Sequence, residues 1–241
     1  MIEFAHVSCA YEKDRPVLRD VSFSVQEGET VGLIGCNGAG KSTVMKLLLG
    51  LLPFSDGKIT AAGLPVDKAH LAEIRAKIGV VLQDPETQMF MPTVYEDMLF
   101  GPMNYGLSRE EADRRIDAAL EQLQIGHLKH RHNHRISGGE KRMAAIAVIL
   151  AMQPDILLMD EPTAALDPYN RRKVIEVIRN LPGTKMITSH DLDMICETCE
   201  RVILLCDGAV CADGPAEQVL RDRELLEAHR LELPLRYAHI R

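Results

Sequence analysis

The sequence predicts an α/β fold: a mainly parallel sheet with an antiparallel N-terminal β-subdomain and an inserted α-helical subdomain. Three observations indicate it. Apolar and polar residues alternate through 17–31, apolar strand-like runs recur at 155–160, 185–189 and 201–206 between helical stretches, and residues 84–150 have helical spacing. A succession of strand, helix and strand favours a parallel sheet whose functional edge lies at the carboxyl ends of its strands.

The N-terminal portion begins with antiparallel strands. The alternating stretch 17–31 predicts strands that turn at Glu27-Gly28. The run TVGLIG at 30–35 lacks a polar face, which is typical of a strand buried on both sides. Residues 42–52, after the next loop, have helical apolar spacing that ends near Pro53.

The strongest helix signal lies in the middle of the chain, at 107–126. Ser108 and Glu111 occupy capping-box positions, and Gly126 provides a stop. Four apolar residues share one face of this helix: Ala112, Ile116, Leu120 and Leu123. Near the C-terminal end, Asp207-Gly208 predicts the turn of a hairpin.

Composition excludes several classes of protein. The chain is 46% hydrophobic and 26% charged, as is usual for a globular protein. The net charge of −7 argues against a dominant nucleic-acid surface, so we expect no nucleic-acid partner. The longest apolar run, 143–152, is shorter than the roughly 18–20 residues that cross a bilayer. The N-terminus has no secretion-signal pattern.

Two groups of residues raise the question of a metal site. Cys196 and Cys199 have C-x-x-C spacing, but a zinc site would need two more ligands nearby, so we expect a buried structural role in a short helix. The histidines at 127, 130, 132 and 134 match no standard ligand spacing and favour a solvated basic loop. All six cysteines are expected to be reduced thiols.

The glycine-rich loop after the buried strand indicates a nucleotide site. Residues 35–42 fit the pattern G-x-x-x-x-G-K-[ST], in which backbone N–H groups converge on a phosphate chain at a helix N-terminus. Lys41 would reach the β- and γ-phosphates, and the Ser42 hydroxyl would hold Mg²⁺. The sequence therefore predicts a site for a nucleoside triphosphate, and in this motif it resembles the P-loop NTPases, which implies a RecA-like core. The nucleotide-contacting residues of this stretch are Gly35, Cys36, Asn37, Gly38, Ala39, Gly40, Lys41, Ser42 and Thr43.

The stretch ILLMDE at 156–161 favours hydrolysis. A buried strand delivers Asp160 to its carboxyl end, where it can bind Mg²⁺, and Glu161 can polarise the attacking water. The alternative is a pair of carboxylates that only end a strand. A small-molecule kinase would not need the glutamate, and no N-K-x-D-like segment indicates guanine specificity.

The stretch ISGGE at 136–140 predicts a second anion-binding helix start. Ser137 is followed by Gly138 and Gly139, and the helix comes next. Glu140 stands at the capping-box distance from Ser137, so an ordinary well-capped helix is the alternative.

In these motifs the sequence resembles the ATP-binding-cassette (ABC) ATPase family over nearly its whole length. Ile136 and Glu140 stand where the family motif usually has leucine and glutamine. The resemblance implies ATP and Mg²⁺ as cofactors and adds four site residues: Tyr11 for adenine stacking, Gln83 for sensing the γ-phosphate and holding Mg²⁺, Asp167 for communication between subunits, and His190 for contacting the γ-phosphate. Taken alone, Tyr11 could be a strand tyrosine and His190 a structural residue.

The resemblance also implies the domain plan and the assembly. We expect a single ABC ATPase domain over 1–241, with a nucleotide-binding core (1–83 and 151–215), a helical subdomain (84–150) and a C-terminal tail (216–241). Two cassettes, identical or paralogous, would pair head to tail. Each ATP would lie between the Lys41 loop of one chain and Ser137 and Gly139 of the other.

Three stretches resemble the energy-coupling-factor (ECF) ATPases of the cobalt-importer type: 83–90, 100–108 and 225–234. This resemblance implies a transmembrane coupling protein and a small substrate-binding membrane protein as partners, a peripheral position on the cytoplasmic face of the membrane, and uptake of a transition-metal ion, cobalt rather than nickel. The alternatives are an ECF vitamin importer, a conventional ABC transporter, and a soluble ABC ATPase outside transport. Five residues suit a groove for coupling helices, or else core packing: Met89, Phe90, Met91, Met98 and Met103.

Overall fold

The computed structural model describes residues 1–12 and 15–238, which form two units. The first comprises Met1–Arg75 with Pro182–Arg241, and the second comprises Ala76–Leu181. The helical stretch expected at 84–150 lies within the second unit. The expected tail, 216–241, is described as far as 238, and its last three residues lie outside the described residues.

The first unit contains a four-stranded antiparallel sheet in the order β2-β1-β4-β5. The strands are β1 (Ile2–Glu12), β2 (Arg15–Val25), β4 (Asp56–Ala61) and β5 (Leu64–Pro65). Phe4 of β1 and Phe23 of β2 lie opposite each other with their rings stacked, centroids 4.6 Å apart. The antiparallel partner of β2 is therefore β1. The predicted pairing across the turn at Glu27-Gly28 is wrong, because that turn leads from β2 into a strand of another sheet.

The same unit contains a group of strands centred on β3 (Thr30–Ile34), all five of whose residues are buried, as predicted. β3 pairs in parallel with β8 (Thr184–Thr188) and with β9 (Arg201–Cys206). β9 continues through Asp207-Gly208 into the antiparallel strand β10 (Ala209–Pro215), which confirms the predicted hairpin. This arrangement places the residues that follow β3, β8 and β9 at one edge of the strands.

Short helices surround these strands. They are α1 (Lys41–Leu48), α2 (Leu71–Lys77), α8 (Leu192–Thr198), α9 (Ala216–Arg221), α10 (Arg223–Ala228) and a 3-10 turn at Leu235–Tyr237. Helix α8 is the short helix predicted around the C-x-x-C pair. Cys199 at its end is buried and Cys196 is half-buried, which agrees with a structural role.

The second unit has two parallel strands, β6 (Ile78–Val81) and β7 (Ile156–Asp160), and five helices. The helices are α3 (Pro85–Gln88), α4 (Val94–Asn104), α5 (Arg109–Gln122), α6 (Gly138–Leu150) and α7 (Pro168–Asn180), with 3-10 turns at Gly126–Leu128 and Asn133–Arg135.

Helix α5 follows its predicted apolar pattern, but its capping box is only half formed, because the Glu111 carboxylate pairs with Arg114 and Arg115. Ser108 accepts a hydrogen bond from the Glu111 amide (3.2 Å), and the four predicted apolar residues are buried. The predicted stop at Gly126 is wrong. The helix ends at Gln122, and Gln124 adopts the left-handed conformation (φ 56°) that glycine usually adopts after a helix.

Among the described residues, none of the helices has the length and apolar character needed to cross a membrane.

Candidate nucleotide-binding site

The loop between β3 and α1 is built around two glycines whose places no other residue could take without strain. A Cβ on Gly35 would lie 2.3 Å from the Leu205 carbonyl oxygen at the end of β9. Gly40, the N-cap of α1, has a φ of 109°, and a Cβ there would lie 2.5 Å from a methyl group of Leu18. The loop thus curves closely over the strand ends, with backbone amides and the N-terminus of α1 at the same place. Such an arrangement binds phosphate groups.

Lys41 lies within the curve of this loop. Its ammonium group donates to the carbonyl oxygens of Gly35 (2.7 Å) and Cys36 (3.2 Å). The residue is buried, with 9% of its surface exposed. A buried cation fixed in the loop adds a localised positive charge to the anion-binding backbone.

The end of β8 brings a histidine to the same place. His190 Nε2 lies 3.4 Å from Lys41 Nζ, although 149 residues separate the two in the chain. The parallel pairing of β3 with β8 explains this proximity, because it aligns the two carboxyl ends. Asp191 then caps α8 by accepting a hydrogen bond from the Met194 amide (3.0 Å), which fixes the chain direction after His190.

Tyr11 reaches the first turn of α1 from the antiparallel sheet. Its hydroxyl lies 3.4 Å from Thr43 Oγ1, and its ring is exposed. An exposed aromatic face beside a phosphate-binding loop can stack on a base. Ser42, at the second position of α1, is also exposed. The first unit therefore brings together Tyr11, the glycine loop and His190.

In the second unit, β7 delivers the two predicted carboxylates with different orientations. Asp160 is the last residue of the strand. Glu161 has a φ of 47°, the left-handed region that residues other than glycine rarely adopt, and its Oε1 atom is buried. Backbone strain of this kind is concentrated at functional sites.

The predicted helix start at Ser137 is present as a complete capping box. Ser137 Oγ accepts from the Glu140 amide (3.3 Å), and Glu140 Oε2 accepts from the Ser137 amide (2.8 Å). The hydrogen bonds from Ser137 hold the pKa of Glu140 below its ordinary value. The capped-helix interpretation is therefore correct as local structure, and it is compatible with anion binding because amides remain at the helix N-terminus.

Gly139 and Asp167 are connected through a residue that the sequence motifs did not indicate. A Cβ on Gly139 would lie 2.2 Å from Cγ of Asn170. The Asn170 side chain donates to Asp167 Oδ2 (2.5 Å), and the Asn170 amide donates to Asp167 Oδ1 (3.1 Å). These hydrogen bonds lower the pKa of Asp167. Only a glycine at 139 allows α6 to approach the first turn of α7 this closely.

Gln83 is held against α6 by Arg142, which the sequence motifs also did not indicate. The guanidinium group donates to the main-chain carbonyls of Leu82 (2.7 Å) and Gln83. Arg142 is almost fully buried. The sequence feature that could have indicated its role is an arginine placed directly before the apolar run 143–152. Gln88 supports the same loop, since its side chain accepts from the Leu82 amide (3.1 Å) and donates to the Ala145 carbonyl (2.6 Å).

The five residues considered for a coupling groove divide into two groups. Met89 and Met98 belong to the core. Phe90 and Met103 are exposed, and Met91 is half-buried. The groove is therefore not formed by all five residues.

Four exposed apolar side chains remain in this segment: Phe90, Phe100, Met103 and Tyr105. The rings of Phe90 and Phe100 meet edge to face, with centroids 5.1 Å apart. The buried carboxylate of Asp97 accepts from the amides of Phe90 and Met91 (both 3.0 Å), and burial raises its pKa. Asp97 thus fixes the backbone that carries Phe90.

Comparison with known proteins identifies this arrangement. The family model for ABC transporters matches residues 18–164, more than half of the chain. The chain belongs to the ABC transporter family. Its ATP-binding cassette binds and hydrolyses ATP, and the predicted fold class is confirmed.

Curated relatives match this ABC ATPase over almost its full length. A putative ABC transporter ATP-binding protein of Geobacter sulfurreducens is 46% identical, with 98% of this chain and 94% of the relative covered. The energy-coupling factor transporter ATP-binding protein EcfA of Methanothermobacter thermautotrophicus is 42% identical, with 97% of this chain and 77% of the relative covered.

Solved structures of ABC ATPases share the fold. The structure of cbiO1 from Clostridium perfringens, part of the ABC transporter complex cbiONQ, has a TM-score of 0.85 at 33% identity and covers 97% of this chain and 95% of its own. A dimeric ATP-binding cassette in a post-hydrolysis state with ADP and Pi has a TM-score of 0.79 at 27% identity and covers 90% of this chain and 99% of its own.

Proposed function

We propose that this chain is the ATP-hydrolysing subunit of an ECF-type importer, in which ATP binding and hydrolysis between two cassettes drive uptake through membrane partners. The observation that carries the ATPase part is the meeting of Lys41 and His190 at the glycine loop, 3.4 Å apart. A buried cation and an imidazole beside converging amides suit the γ-phosphate of a nucleoside triphosphate.

Each proposed role follows from the chemistry of its group. Lys41 and the amides of the loop from Gly35 to Thr43 bind the phosphates, and Tyr11 stacks on adenine. Glu161 polarises the attacking water, and His190 contacts the γ-phosphate. The proposed ligands of Mg²⁺ are Ser42, Gln83 and Asp160. This assignment is supported by the side-chain oxygen atoms of the three residues, because Mg²⁺ prefers hard oxygen ligands.

We propose that a second cassette completes each site. The capped helix start at 137–140 would face the ATP of the partner chain, and Asp167 would lie at the same dimer interface. The contact of Gly139 with Asn170 supports this, because it links the two segments within one rigid cluster. The dimeric cassette with ADP and Pi supports the assembly by similarity. The functional domain would be the whole chain, 1–241.

The ECF type is supported by two similarities and by one surface. The relatives include a protein named EcfA and a member of a cbiONQ complex. The exposed side chains of Phe90, Phe100, Met103 and Tyr105 offer apolar surface to a coupling helix. That helix would belong to the transmembrane coupling protein. A small substrate-binding membrane protein would join it, with the ATPase peripheral on the cytoplasmic face.

For the cargo, we propose a transition-metal ion, cobalt rather than nickel. Two observations support this: the similarity of the chain to cbiO1, and the resemblance of the stretches 83–90, 100–108 and 225–234 to ATPases of the cobalt-importer type. Uptake of labelled cobalt in cells with and without the gene tests this. Gene-dependent uptake of nickel or of a vitamin, without gene-dependent uptake of cobalt, would contradict the proposed cargo.

Copurification tests the assembly. The tagged Glu161→Gln protein is expressed in its native host, and membranes are extracted with detergent in the presence of ATP. We expect a coupling protein and a small membrane protein to copurify. The Glu110→Gln variant, which changes an exposed glutamate of α5, is the control and should hydrolyse ATP like wild type.

A pair of conventional permease subunits would contradict the ECF type while retaining an ABC ATPase. Recovery of non-membrane partners alone would contradict a role in transport.

A further inference from the structure

Three groups that can ligate a metal converge in the first unit. The Sγ atoms of Cys206 and Cys211 and a ring nitrogen of His229 all lie within 4.8 Å of one another. Cys206 ends β9, Cys211 belongs to β10, and His229 follows α10. None of them belongs to the proposed nucleotide site.

The local backbone explains why the two thiols meet. Asp207 and Gly208 both have positive φ (45° and 83°), which makes a tight hairpin turn. Cys206 pairs with Ala209, and the register then shifts between Val210 and Ala212. Cys211 is therefore the extra residue of a β-bulge, a feature that re-aims side chains. The bulge brings its thiol to within 4.8 Å of the Cys206 thiol.

The third ligand comes from the C-terminal segment. His229 is the C-cap of α10, and its amide donates to the Leu226 carbonyl (3.1 Å), which fixes the residue at the helix end. Leu226 is fully buried, so this segment is anchored by its packing. Cys206 is buried, His229 is half-buried and Cys211 is exposed. The cluster thus has a closed side and an entry path from solvent.

We propose that Cys206, Cys211 and His229 bind a zinc ion. Two thiolates and an imidazole are the donors that Zn²⁺ selects, and the absence of a carboxylate from this set disfavours Mg²⁺ and Ca²⁺. Tetrahedral zinc with bonds of about 2.0–2.3 Å places its ligand atoms about 3.5–3.8 Å apart, so the groups need only a small contraction. Water would complete the coordination from the exposed side of Cys211.

The site lies directly behind the phosphate-binding loop. Leu205, the neighbour of Cys206, supplies the carbonyl oxygen against which Gly35 packs. A zinc ion here would fix the strand end that supports the loop. This inference does not depend on the proposed transport function.

Zinc binding is measured on the full-length, reduced protein without a histidine tag and without nucleotide. We expect one zinc ion per chain in competition with a colorimetric chelator, and a thiolate-to-metal charge-transfer band when Co²⁺ is the probe. Loss of a supporting contact alone lowers zinc affinity about 10–100-fold, so Cys211→Ser and His229→Asn should lower it by about 100-fold or more. Both residues reach solvent, so these variants should fold.

Two controls separate this site from other thiols and histidines. Cys196→Ser removes a half-buried thiol outside the cluster, and His132→Asn with His134→Asn changes the histidine-rich loop. Both should keep wild-type zinc affinity. The proposal is overturned if Cys211→Ser and His229→Asn bind zinc like wild type, if the loop variant loses the ion, or if the reduced protein binds no stoichiometric zinc.

Discussion

Arg142 donates hydrogen bonds to the main-chain carbonyls of Leu82 and Gln83, and so connects the helix that begins after Ser137 with the loop that carries Gln83. The guanidinium group is buried, 2% of the residue being exposed. In the proposed dimer, Ser137 would face the partner's ATP and Gln83 would serve the ATP of its own chain, so Arg142 would couple the two proposed roles.

Replacing Arg142 by methionine should destabilise the protein by about 2–4 kcal/mol, because hydrogen bonds to a charged group are worth about 1.5–3 kcal/mol and two part-buried main-chain carbonyls lose their donor. ATP hydrolysis should fall while ATP affinity of the monomer is kept. Urea unfolding, nucleotide titration and turnover measure these effects. The control is Arg114→Gln, which changes an exposed residue of α5. Unchanged stability and turnover of Arg142→Met would contradict the coupling role.

The two glycines of the helix start should respond differently to alanine. A Cβ on Gly138 meets nothing within 4 Å, whereas one on Gly139 would lie 2.2 Å from Asn170 Cγ. Gly138→Ala should stabilise the helix by up to about 1 kcal/mol. Gly139→Ala should cost about 1–3 kcal/mol through overpacking. Thermal or urea unfolding measures both.

A double variant locates the cause of the Gly139 effect. Adding Asn170→Ala removes the atoms that the new methyl group would meet, so it should recover part of the stability lost in Gly139→Ala. Simple additivity of the two changes would show that Asn170 is not the obstacle.

Glu140→Gln tests the electrostatic part of the capping box. The folded-state pKa of Glu140 lies below the ordinary 4.5, with hydrogen bonds from Ser137 as the main cause. Its contribution to stability is therefore present above about pH 4.5 and is lost as the pH falls through the lower, folded-state pKa. Glutamine can accept the same hydrogen bond without titrating, so the variant should lose less stability between neutral pH and about pH 3.

The size of this effect is modest, about 0.5–1 kcal/mol, because capping interactions have that magnitude and the carboxylate is partly exposed. Urea unfolding of both proteins across the acid range measures it. Parallel pH curves for wild type and Glu140→Gln would contradict the assignment.

Lys41→Ala should abolish ATP binding. The variant loses a buried ammonium group that two loop carbonyls orient. A fluorescent ATP analogue should show an affinity loss of about 100-fold or more, equivalent to about 3 kcal/mol for a charged contact. The matched control is Lys68→Ala, which changes an exposed lysine of the same unit. Retained nucleotide affinity in Lys41→Ala would refute the phosphate-binding role.

The sequence was most informative where neighbours in the chain decide the structure. The buried strand at 30–34, the capping box of Ser137 and Glu140, and the hairpin turn at Asp207-Gly208 all depend on a few consecutive residues. The end of α5 shows where such local signals stop being sufficient. Gln124 takes the left-handed conformation two residues before the glycine that the pattern favoured, because packing of the buried Leu123 and Ile125 sets the chain direction there.

By itself the sequence determined the phosphate-binding motif and several of the strands and helices, because glycine spacing and apolar periodicity act locally. Only the tertiary structure decided which distant residues meet: His190 with Lys41, Arg142 with the Gln83 loop, and His229 with Cys206. These contacts depend on strand register and helix packing. Both are fixed by the burial of the whole core, and no short stretch of sequence encodes them.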